Sequence, residues 1–129
     1  MLDHWTDSAG AKAREKMGAV VWSIGKDIRD NECFRRLCLG TDLDGQPHFY
    51  EEAKHGDHWE WDDDTPPRVA LCLLREHARE WLNRRGREVR KNRDGSSCSV
   101  YFVEATVASM WRCDYDAALI AAVLAVEVE

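Results

Sequence analysis

The 129 residues are 44% hydrophobic and 33% charged, with a formal net charge of −6. That apolar content excludes a disordered polymer, and one domain is expected, since domains usually run roughly 100–200 residues. No apolar run reaches the roughly 20 residues that span a bilayer, and Met1-Leu2-Asp3-His4-Trp5 lacks the basic-then-apolar order of a signal peptide, so the expected compartment is the cytosol, with no membrane partner.

In chain order, Ala13, Met17, Val20, Val21, Ile24 and Ile28 recur at helical spacing, which predicts one helix face over 13–28. Asp7 or Ser8 supplies its cap. Residues 34–39 form a short strand or a helical turn, 40–47 carry loop chemistry, and 48–50 form a second short strand. From 51 to 64 no period is visible, so an acidic irregular insertion is expected at about 40–64. Pro66-Pro67 then opens the clearest helix, since proline has its φ preset for the first helical position. Its apolar stripe is Val69, Ala70, Leu73, Leu74, His77, Ala78, Trp81 and Leu82, with Arg75, Arg79, Arg84 and Arg85 pointing away and Gly86 closing it. Residues 88–91 and 98–103 flank Asp94-Gly95, a favoured hairpin turn. A last helix, capped by Asp114, is apolar all round through Ala117–Val126 and is expected to be buried, or shared between core and a homodimer interface. The expected fold is α+β: about three helices layered on a small antiparallel sheet, with a C-terminal β-hairpin.

The helix–Gly turn–hairpin–helix order, with Trp61-Asp62-Asp63-Asp64-Thr65 leading into the amphipathic helix and Asp116 to Ala122 in the last one, resembles the small "phage ABA sandwich" proteins of bacteriophages. The resemblance covers most of residues 59–126 and, more weakly, the first helix. The family's usual Tyr-Ser-Thr-Asp lead-in is replaced here, and residues 30–58 are long and acidic. The resemblance implies a layered fold, a phage or prophage origin, a place in the bacterial host cytosol and an accessory role. It carries over no catalytic residue.

The five cysteines are odd in number and irregularly spaced, which argues for reduced thiols, with Cys72 and Cys98 as core or face fillers. Charge is segregated: residues 30–64 hold 11 acids against 3 bases, whereas residues 68–93 hold 9 bases against 3 acids. Such a dipolar surface steers partners more than it shapes the fold. Three site readings are open. In the first, Trp59 and Trp61 alternate to one side of an extended segment and, with Glu60, Asp62, Asp63 and Asp64, make an acidic anchor for a host or phage protein, since tryptophan dominates interface energetics. An acidic surface can imitate a nucleic-acid track and so antagonise a bacterial defence or regulatory protein. In the second, Arg84, Arg85, Arg87, Arg90, Lys91 and Arg93 bind nucleic-acid phosphates. In the third, His55 and His58, three apart on a helical turn, bind zinc with nearby carboxylates or with Cys33 and Cys38. Otherwise no cofactor is expected. Asp42-Leu43-Asp44-Gly45 lacks the later ligands of a calcium loop. His77 reads as a core histidine rather than a base, no thiol or serine sits in a readable activating context, and neither a P-loop nor a dinucleotide fingerprint is present, so no enzyme is expected.

Overall fold

The computed structural model describes residues 3–91, 98–102, 106–110 and 115–126. Asp7 closes one helical turn, α1 (Asp3–Thr6), and caps the next helix, α2 (Ser8–Met17). Its Oδ1 accepts from the Gly10 amide at 3.1 Å, satisfying a donor that the first turn leaves orphaned. The helix expected over 13–28 stops at Gly18, whose φ of +84° is strained for any residue with a Cβ. Beyond it the β-branched and aromatic Val20-Val21-Trp22 favours a strand, β1 (Val20–Lys26). The stripe is therefore a helix face up to Met17 and strand residues after it.

β2 (Glu32–Thr41), β3 (Pro47–His55) and β4 (His58–Asp64) come next, giving a four-stranded antiparallel sheet in the order β1-β2-β3-β4. This corrects the irregular insertion expected at 40–64: it is the second half of a meander. The β2–β3 turn is set by Asp42, whose Oδ1 accepts from the Asp44 and Gln46 amides at 2.9 and 2.8 Å, with Gly45 at φ +79°. Asp27 does the same in the β1–β2 turn through the Arg29 and Asn31 amides.

Residue grouping separates two compact units, Ala19–Leu73 and Met1–Gly18 with Leu74–Glu129. The first holds the four-stranded sheet. Register places Val20, Leu37, Leu39 and Phe49 on one face, and Val20, Leu37 and Phe49 are buried. Val21, Arg36, Cys38, Gly40, His48, Tyr50 and Glu52 fall on the other face, where none is buried. Helix α3 (Pro67–Asn83) begins at the second of the two prolines expected to open it, and Pro66 O takes the Val69 and Ala70 amides. Cys72, expected in the core, is exposed, and its neighbour Leu71 is buried instead.

The second unit builds its core from Trp5, Ala13, Met17, Leu74, Ala78, Trp81, Leu82 and the helix α4 (Tyr115–Ala125). α4 packs on α1 and α2 and against β5 (Arg87–Lys91) and β6 (Cys98–Phe102). β7 (Thr106–Met110) extends the expected hairpin to a three-stranded sheet, β5-β6-β7. Among the described residues four helices thus replace the expected three, one of them a single turn. The expected cap, Asp114, lies outside the described residues. Asp116 is 5% exposed, and it accepts from Trp5 Nε1 at 3.1 Å and from Arg75 Nε and Nη2, both at 2.7 Å. Arg75 therefore does not point away from its helix's packed side as the stripe suggested; a buried carboxylate needs a partner more than a guanidinium needs water. Lys16 Nζ donates to the Leu124 and Val126 carbonyls, a cation on the negative end of α4. The all-apolar character of α4 is used within its own unit, leaving Leu124 as its exposed large apolar residue among those described.

Candidate functional site

The tryptophan pair of β4 lies on the open face of the four-stranded sheet. Lys54 stands opposite Trp59 and Glu52 opposite Trp61, so the two indoles share a side, as the alternation predicted. A register shift then places one extra residue between Trp61 and Asp63. Such a bulge re-aims the side chains beyond it. Asp62 falls on the side of Arg35, 3.0 Å from its Nη2, while Asp64 stands opposite Tyr50 on the indole side.

The guanidinium of Arg36 lies over the Trp59 ring, 4.6 Å from its centroid, and its Nε donates to Glu52 at 2.7 Å. Burial works against the Arg36 charge, but the hydrogen bond and charge of Glu52 outweigh it, holding its pKa above the ordinary value. Tyr50 sits against Gly40: a Cβ at Gly40 would meet its Cε1 at 3.0 Å. His48 is 5.9 Å from Tyr50 between ring centroids, and its Nε2 lies 3.7 Å from Asp64. Burial, with the Glu52 charge, pushes the Cys38 thiol up in pKa, opposed by Arg36 and Tyr50. Burial likewise raises Tyr50. A thiol driven toward its neutral form is a poor nucleophile. Trp61 differs from Trp59 on the same face: it is 64% exposed, whereas Trp59 is half-buried.

No family model, curated protein or solved structure matches this chain.

The acidic anchor is only partly available. Glu51 and Asp62 both pair with Arg35, at 2.8 and 3.0 Å, and Glu60 faces two imidazoles. Asp63 and Asp64 stay exposed, with Trp59 half-buried under Arg36. Sequence reasoning missed Arg36, Cys38, His48, Tyr50 and Glu52 as members of this face. A signal was present: Arg36 and Glu52 are symmetric about the Asp42–Gln46 turn, so reading that turn as a hairpin sets opposite charges side by side.

The arginine reading is dispersed. Arg85 stacks over Trp81 at 3.7 Å and donates to its carbonyl at 3.0 Å, and Arg90 pairs with Glu88 at 2.9 Å. The Arg90 hydrogen bond lowers the Glu88 pKa. Arg84 is exposed, Arg87 half-buried, Lys91 ends β5, and Arg93 lies outside the described residues. The zinc reading is corrected in its geometry. His55 and His58 face each other across the β3–β4 turn, not along a helix, and their Nε2 atoms lie 3.9 and 2.9 Å from the Glu60 carboxylate. Cys33 and Cys38 project from opposite faces of β2, because five residues along a strand reverse the side, so the Cys2His2 set does not form. Among the described residues no three potential ligands are grouped for a metal ion. No described helix is long and apolar enough to cross a membrane.

Proposed function

We propose that this chain is a non-catalytic accessory protein that binds a host or phage protein through the indole face of the four-stranded sheet. The observation that carries this reading is Trp61, 64% exposed on the edge strand β4, two residues from an indole that lies under the Arg36 guanidinium. A large indole in water on a rigid strand is an anchor ready for a partner, because it loses little side-chain entropy on docking. Asp63 and Asp64 beside it favour a partner surface of positive charge. A phage or prophage origin, in the cytosol of a bacterial host, rests on the sequence resemblance. Its sharpest form is antagonism of a defence or regulatory protein. Against catalysis stand the Cys38 thiol, whose pKa burial pushes up, and the half-buried His77, whose pKa burial pushes down.

The test is affinity capture from a bacterial lysate with the native protein, Trp61→Ala and Leu43→Ala, the last at a fully exposed turn residue away from the indoles. The expected result is a protein retained by the native chain and by Leu43→Ala and lost by Trp61→Ala. The same proteins in all three eluates would remove the proposal.

A further inference from the structure

Resting on that reading, we infer that the partner presents an arginine-bearing extended segment that adds to β4 as a fifth strand and lays a guanidinium on Trp61. The chain contains its own template for this contact. On the same sheet face, Trp59 carries the Arg36 guanidinium at 4.6 Å while Glu52 holds its nitrogen. Trp61 repeats the arrangement one step along the strand. It is the neighbouring indole on that face, and the next side chain there is the carboxylate of Asp64, which is 73% exposed. Guanidinium fits such a place better than ammonium, because its plane stacks on the ring while its edge donates to the carboxylate.

Strand addition follows from the position of β4. It ends the sheet order β1-β2-β3-β4, and of its residues Trp59 alone is other than exposed. An edge strand offers unpaired amides and carbonyls to any chain that matches it. A second copy of β4 is the wrong occupant. Pairing two such strands would set the carboxylates of Glu60, Asp63 and Asp64 against like charges, which opposes association. A basic strand meets the reverse condition.

The test uses a displayed library of random dodecapeptides selected on the intact native protein. The selected peptides are expected to carry arginine at alternate positions and to bind Trp61→Ala about tenfold more weakly. Their binding is also expected to weaken several-fold with Asp64→Asn, an exposed change that removes one charge and keeps the backbone pairing with Tyr50. On binding they should slow hydrogen exchange at the backbone amides of β4. Selected peptides that lack arginine, or that leave β4 exchange unchanged, overturn the inference, as does failure to select any. Peptides without arginine that still depend on Trp61 would leave the indole face standing as a binding surface while removing this account of its partner.

Discussion

Arg36 on β2 and Trp59 on β4, 23 residues apart in sequence, meet across β3, with the guanidinium over the indole 4.6 Å from the ring centroid. Neither interaction partner alone accounts for the placement: Glu52 orients the guanidinium, and the guanidinium covers the indole. Arg36→Ala therefore removes a stack and a charge-assisted hydrogen bond together. Because both side chains are partly solvated, the expected loss is about 1–2 kcal/mol, read as a lower urea midpoint. Arg36→Lys is expected to recover less than half of it, since an ammonium cannot stack and fork at once.

Asp116 is the centre of the second unit's polar core. Asp116→Ala removes the carboxylate that accepts from Arg75 and from the Trp5 indole N–H. The expected destabilisation is about 3 kcal/mol, the low end for a broken buried pair because Arg75 reaches partly into water. Trp5→Phe keeps the ion pair and most of the apolar contact but loses one hydrogen bond and some ring volume. Its expected cost is smaller, about 1–2 kcal/mol. Chemical denaturation of both variants checks the order.

Gly10 sits in a helix, where alanine is ordinarily better by about 1 kcal/mol. Here the sign reverses. A Cβ at this position would stand 2.1 Å from the His4 carbonyl oxygen and 2.6 Å from Trp5 Cα, both backbone atoms that cannot swing aside. Gly10→Ala is expected to force α1 away from α2, disturb the fully buried Trp5 and cost at least about 2 kcal/mol. A thermal melt at or above the native midpoint would contradict this.

His77 gives stability a pH dependence. Burial holds its imidazole below the ordinary 6.5, outweighing the raising effect of the Met17 backbone hydrogen bond. The unfolded chain then takes up the proton first as pH falls. The contribution is whole above about pH 6.5 and is lost as pH drops through the lower folded value. His77→Gln cannot titrate. The fall in urea midpoint between about pH 7.5 and about pH 5.5 is expected to be smaller in this variant than in the native protein.

Helices α3 and α4 were legible in sequence. Pro66-Pro67, the stripe through Trp81 and Leu82, and Gly86 at φ +71° mark one helix by local rules alone, and α4 declares its burial by having no polar side. The first unit was not legible in the same way. Residues 20–28 continue a helical spacing by coincidence, and only Gly18 followed by β-branched residues signals the break. Residues 48–64 carry charge on both sides of each strand, so the alternation that marks a half-buried strand is blurred.

The sequence by itself determined the mixed fold class, the cap at Asp7, the helix after Pro66 and the sidedness of Trp59 and Trp61. These depend on neighbours a few positions away, where backbone preference and side-chain period act directly. Only the tertiary structure decided which charges are already spent. Arg35 takes Glu51 and Asp62, Arg36 takes Glu52 and covers Trp59, and Asp116 takes Arg75, while Trp61 is left in water. Those partners lie 16 to 41 residues apart; strand register and the β4 bulge bring the sheet pairs together, and helix packing in the second unit brings Arg75 to Asp116. Register is a cooperative property of paired chains, so no local stretch contains it.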